Sequence, residues 1–199
     1  MGEDPSPAPA AFYFDLASPL AYLAAERVLQ VLPGPAEWRG ILAADLPGAE
    51  SPPGAGSETD GFRAEIAARA AGLGLQPLRW PEPFPFDSRL AMLIATYARS
   101  IGRAVPFAQA AFRQAFAGGR SLADEDSVLI AAAACEMHPS AVLRAASMRS
   151  VAEQLEAATA GAAAAGVLSV PAVTLGERVF QGETALREAA EEMALERAL

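Results

Sequence analysis

The chain has 199 residues, enough for one large domain or for a core domain carrying an insertion. Hydrophobic residues make up 52%, which excludes a disordered chain, and no apolar run reaches transmembrane length. The formal net charge of −9 argues against nucleic-acid and anionic-membrane partners, both of which call for basic patches.

The N-terminus, Met1-Gly2-Glu3-Asp4-Pro5-Ser6-Pro7, is acidic and proline-rich, and reads as a short mobile tail over residues 1–10. It lacks the basic start of a secretory signal. With that and a single cysteine, the cytoplasm is the expected compartment.

Residues 12–28 carry the most information. Phe12, Tyr13 and Phe14 read as a buried strand that stops at Asp15, and a helix pattern begins after Ser18-Pro19. Serine is a preferred N-cap, and proline suits the first helical position, where its missing N–H costs nothing. Ser18 therefore has two readings: a helix cap, or a hydroxyl placed beside unpaired N–H groups where an anion could be held. Asp15 likewise either lines the same cleft or satisfies backbone groups at the strand end.

Residues 37–42 read as a second strand, and residues 44–58, rich in Pro, Gly and Ser, as an exposed loop. The middle of the chain is helical. Leu90, Leu93, Ile94, Tyr97 and Ile101 mark one face of a helix that follows a cap at Asp87 or Ser88. Phe107, Phe112 and Phe116 mark the buried face of the next, which Gly118-Gly119 ends. Asp124 or Ser127 would cap a third, Pro139 starts a fourth beside His138, and residues 148–165 form an alanine-rich helix stopped by Gly166. Cys135 reads as a buried, inert thiol. One histidine and one cysteine cannot assemble a soft-ligand zinc site, so no metal is expected. Trp38 and Trp80 read as packing residues, with Trp80 also placed to floor a pocket.

Near the C-terminus, Val170-Pro171 precede a β-branched strand, then a Gly-Glu turn and a second strand. A proline there must sit at an edge, at a first position or in a cis bond. Residues 183–198 form a last, acidic helix with Glu183 and Arg187 at pair spacing.

Taken together, the Ser18-Pro19-Leu20-Ala21 helix start and the Val170-Pro171 strand start resemble the DsbA-like thioredoxin-fold family. Within it, they are similar to the 2-hydroxychromene-2-carboxylate isomerase and kappa-class glutathione transferase branch. The resemblance extends to residues 37–42, to the proline-rich stretch 81–90, and to residues 179–186. It implies an α/β thioredoxin-like fold with an all-helical insertion: residues 11–58 and 161–199 form the thioredoxin-like part, and residues 59–160 the insertion. Redox-active relatives open the helix with Cys-Pro-x-Cys. Both sulfurs are missing here, so dithiol–disulfide exchange is excluded.

The resemblance implies a glutathione-dependent isomerase or transferase. In it Ser18 would hold the glutathione thiolate, while Val170, Pro171, Glu183 and Thr184 would bind the tripeptide. The implied partner is a small electrophile, aromatic in the family's pattern, and relatives of this kind often form homodimers. The chain departs from the pattern at Gly40 (for proline), Asp87 (for asparagine), Thr184 (for aspartate) and Ala185 (for arginine). It also has an acidic stretch, residues 57–62, where a lysine is expected. These departures keep open an alternative: a non-redox thioredoxin-fold protein that binds another small molecule or thiol at the same cleft.

Overall fold

The computed structural model describes residues 10–49 and 57–197. Strand β1 (Ala10–Phe14) begins at the last residue of the expected tail; residues 1–9 lie outside the described part. It is buried along its whole length, as a strand covered on both faces must be. Helices α1 (Pro19–Ala25) and α2 (Val28–Val31) carry the chain across to β2 (Ala36–Gly40), which pairs parallel to β1 with Phe12 opposite Trp38 and Phe14 opposite Gly40. Strands β3 (Ala172–Leu175) and β4 (Arg178–Gln181) form a hairpin added antiparallel to the other side of β1, giving the order β2-β1-β3-β4.

Six helices lie between β2 and β3 in the described chain: α3 (Ser57–Gly72), α4 (Arg89–Ser100), α5 (Ala104–Phe116), α6 (Glu125–Ala133), α7 (Pro139–Ala146) and α8 (Arg149–Ala164). Helix α9 (Ala185–Arg197) follows β4. The period of two in β1 divides the core. Phe12 and Phe14 face a large cluster that includes Trp38 and the three phenylalanines of α5, with Phe12 and Trp38 edge to face at 5.0 Å. Ala11 and Tyr13 face a smaller cluster with Ile41, Ala162 of α8, Val167 and Val170. The end of α8 thus roofs the sheet itself.

The α5 phenylalanines are buried as their spacing predicts. Helix α4 differs from expectation: its buried face runs through Ala91, Met92, Ile94, Ala95 and Ala98, while Leu90, Leu93 and Tyr97 are half-buried and Ile101 is exposed. The helix touches α5, α7, α8 and β2. A helix hemmed in on several sides selects small side chains where neighbours approach closely, and a hydrophobicity stripe does not register alanine.

Caps mostly fall where the sequence places them. Asp87 Oδ1 accepts the Arg89 N–H at 2.8 Å, and His138 Nδ1 accepts the Ser140 N–H at 3.3 Å beside Pro139. Asp124 occupies the N-cap position of α6 without a side-chain cap bond. The loop after β2 is not wholly exposed, since Leu46 is buried beside Tyr13 and Ile41; residues 50–56 lie outside the described part. The acidic stretch 57–62 is no loop but the start of α3, where Glu58 and Asp60 suit the helix dipole. Among the described residues no helix is long and apolar enough to cross a membrane.

Candidate functional site

The site is organised where β1 ends. Asp15 is buried, and its carboxylate accepts the Ala17 N–H (Oδ1, 2.9 Å), the Ala43 N–H (Oδ2, 2.9 Å) and the Ser88 side chain. Of its two readings, the structure shows the satisfaction of backbone groups. Burial pushes its pKa above the usual carboxylate value, and these hydrogen bonds oppose that shift. One carboxylate thereby ties the strand end, the turn after β2 and the start of α4 around the entrance to α1.

Ser18 follows in an extended conformation as the N-cap of α1. Its Oγ accepts the Ala21 N–H at 3.1 Å, and its own N–H donates to Asp15 O at 3.0 Å. The cap therefore exists, and it uses a lone pair of Oγ. The hydroxyl proton is left to be donated outward from a half-buried position.

Strand β3 runs antiparallel to β1, so its beginning returns to the end of β1, where Asp15 and Ser18 stand. The Val170-Pro171 bond there is cis. Gln181 Oε1 accepts the N–H groups of Leu168 (2.8 Å) and Ser169 (3.2 Å), and the Gly182 N–H donates to Pro171 O at 2.9 Å. Gly48 closes from the other side: a Cβ there would stand 2.9 Å from Leu168 O. Among the described residues, the main-chain N–H and C=O of Val170 take no hydrogen bond.

Below Pro171 a cleft of about 560 Å³ opens between α1, the end of α3 and α9. Pro171, Glu183 and Thr184 line it together, whereas Ser18 and Val170 do not; Leu20, two residues past Ser18, forms its near wall. Glu183 precedes α9 rather than opening it, and it pairs with Arg69 Nη1 of α3 at 3.0 Å instead of with Arg187, whose partners are Glu188 and Glu191. Helical spacing does not apply to a residue outside the helix. The cleft also holds three arginines that reading the sequence missed: Arg27, Arg69 and Arg187. For Arg27 helical spacing gives no signal, because it lies in the break between α1 and α2, outside both helices. For Arg69 there was none either, since its partner lies far along the chain.

The remaining candidates are structural. Cys135 is buried, which raises its thiol pKa and keeps it un-ionised. Trp38 packs on Phe12 and Phe14. Trp80 sits among Phe62, Phe84 and Phe116 beneath the Arg63 guanidinium and does not line the cleft. Among the described residues no group of His, Cys, Asp or Glu side chains could hold a metal ion.

The fold is shared with solved structures across nearly the whole chain. A 2-hydroxychromene-2-carboxylate isomerase superposes with a TM-score of 0.81 at 22% identity, covering 96% of both chains. A probable DsbA oxidoreductase from Streptomyces coelicolor gives 0.79 at 18% identity, covering 95% of this chain and 89% of its own. The cytosolic disulfide reductase DsbM from Pseudomonas aeruginosa, in its structure with GSH, gives 0.67 at 15% identity, covering 96% and 98%. No curated protein sequence matches the chain significantly. The family model of the DSBA-like thioredoxin domain matches residues 11–194, and the chain belongs to that family.

Proposed function

We propose that the chain is a glutathione-dependent isomerase or transferase of the 2-hydroxychromene-2-carboxylate isomerase type, in which Ser18 stabilises the glutathione thiolate. The observation that carries this reading is at Ser18: Oγ spends a lone pair on the cap, and its proton has no acceptor among the described residues. With no cysteine at position 18 or 21, a thiol at this place must come from a ligand. Val170 offers an unpaired N–H and C=O that fit an extended peptide laid against it as an added strand. Thr184 offers a hydroxyl at the far end.

Glutathione, when bound, supplies a nucleophilic sulfur for a small electrophile. The chain's own part is to donate the Ser18 proton toward that sulfur, to align the peptide along Val170, and to present the electrophile from the cleft. Similarity to an isomerase, and to a reductase whose structure contains GSH, supports the reading at the level of the fold. A cytoplasmic location and a homodimer belong to the same proposal.

A second reading is favoured by one observation. Glu183 is already paired with Arg69, and Thr184 and Ala185 replace the charged pair of the family's pattern. On this reading the cleft serves a different small molecule and no thiol.

Calorimetric titration with reduced glutathione, read together with thiolate absorbance, separates the two. Wild type is expected to bind saturably with a thiolate signal. Ser18→Ala is expected to lose that signal while costing only about 1 kcal/mol of stability as a lost cap. Ser18→Asp retains a cap acceptor but has no proton to give, so it should stay folded and also lose the signal. Absence of glutathione binding by wild type overturns the proposal in favour of the second reading.

A further inference from the structure

Three arginines face the cleft, and two of them are answered. Arg69 Nη1 holds Glu183 at 3.0 Å, with Glu65 on its other arm, and Arg187 Nη1 holds Glu191 at 3.0 Å. Glu183 and Glu191 are the carboxylates of the lining, so no acid is left over for the third arginine, Arg27. Its chain neighbour Glu26 is taken by both arms of Arg113, each at 2.7 Å. Among the described residues the Arg27 side chain has neither an ion-pair partner nor a hydrogen bond. Among the described residues Arg79, Arg120, Arg144 and Arg197 are unpaired too, but none of them faces this cleft.

Much of the lining is apolar. Leu20, Leu23 and Ala24 of α1 oppose Leu186 and Ala190 of α9, and Leu73 lies just beyond α3. Leu20 lies in the first turn of α1, and Arg27 stands past the end of that helix, as the N-cap residue of α2. The cleft thus combines apolar surface from α1 and α9 with two paired arginines, Arg69 on Glu183 and Arg187 on Glu191, and one half-buried, unanswered guanidinium. A carboxylate or sulfonate placed there would make charge-assisted, bidentate hydrogen bonds in surroundings poorer in water than the open surface.

We infer that this cleft binds an elongated organic monoanion, its apolar body along α1 and its single acidic head on Arg27. One unanswered charge calls for one anionic head. The other charged groups of the lining are already paired, so the further carboxylates of an acidic peptide would meet no free cation there. The inference shares Pro171, Glu183 and Thr184 with the glutathione reading but does not rest on it, since Ser18 and Val170 lie outside the lining and no thiol takes part.

The test is calorimetric titration of the intact chain, without glutathione, with octanoate and with its neutral counterpart octanamide. Octanoate is expected to bind saturably, and octanamide about tenfold more weakly or worse, as loss of a charge-assisted contact implies. Arg27→Gln should bring octanoate down to the octanamide level at unchanged Tm, and Arg27→Lys should restore part of the difference. Hexanoate should bind more weakly than octanoate. Equal binding of octanoate and octanamide, or undiminished octanoate binding by Arg27→Gln, would overturn the inference. So would binding of an oligoglutamate peptide but not of octanoate. Thiolate absorbance of bound glutathione, compared between wild type and Ser18→Ala, reports on a residue outside this lining, so the two proposals can fail independently.

Discussion

The Leu16 N–H, just past the end of β1, donates to the thioether Sδ of Met92 on α4 at 3.3 Å. Both residues are fully buried, so this sulfur is the acceptor that keeps a main-chain donor from being orphaned where the strand turns toward Asp15 and Ser18. Met92 can lie there because residue 40 is glycine. A Cβ at Gly40 would stand 2.7 Å from Met92 Cε, with Phe14 Cζ at 3.5 Å and Ala95 Cβ at 3.7 Å. The departure from the family's proline thus has a physical reason in this chain: β2 gives up a side chain so that α4 can reach the strand end.

Gly40→Ala should therefore destabilise the fold by about 1 kcal/mol, the low end of overpacking costs, because the atom it meets is the movable end of Met92 rather than backbone. Met92→Ala removes the clashing methyl, so the two substitutions should be strongly non-additive in a urea-denaturation cycle. Additive costs would show that Gly40 and Met92 are not coupled.

Asp15 sets a pH dependence. Its pKa in the folded chain lies above the ordinary carboxylate value because burial outweighs its hydrogen bonds. The folded state therefore holds this proton more tightly than the unfolded state. Its titration favours folding fully below the ordinary carboxylate pKa, and this contribution is lost as pH rises through the folded-state value. The stability of wild type relative to Asp15→Asn, taken from denaturant unfolding at several values between about pH 3.5 and 7.5, should fall as pH rises. A difference that grows with pH would mean that the ionised form is the one the fold prefers.

Gln181 should govern the approach to the cis bond. Gln181→Leu removes the acceptor shared by Leu168 and Ser169, at a cost of about 1 kcal/mol for a contact open to solvent. Hydrogen exchange at those two amides should accelerate, while the strand amides of β3 remain protected. Gln181→Glu keeps an acceptor and should restore slow exchange. Unchanged rates in Gln181→Leu would mean that the loop is held by Gly48 and Gly182 alone.

Much of the site's framework was readable from local chemistry. Ser18-Pro19 reads as a helix start, and it is one; Val170-Pro171 offers a cis bond among its options, and the bond is cis. Asp87 is placed at a helix start by cap preference, whereas His138, which reads as a helix-end or loop residue before Pro139, proves to cap α7. What failed depends on distance along the chain. Glu183 was matched to Arg187 by helical spacing, yet its partner is Arg69, brought across from α3. The face of α4 was judged by its leucines, yet the close approach of four neighbouring elements buries its alanines and Met92 instead.

The sequence by itself determined where most strands and helices lie and that residues 18 and 21 carry no dithiol, because periodicity, proline constraints and residue identity are local properties. The architecture followed from the resemblance that Ser18-Pro19 and Val170-Pro171 carry. Only the tertiary structure decided that Asp15 supports the backbone, that Pro171, Glu183 and Thr184 share a cleft, and that Arg27 faces it without a partner. Those outcomes depend on which distant carboxylates, amides and side chains the packed core brings within hydrogen-bonding reach. No spacing along the chain encodes that.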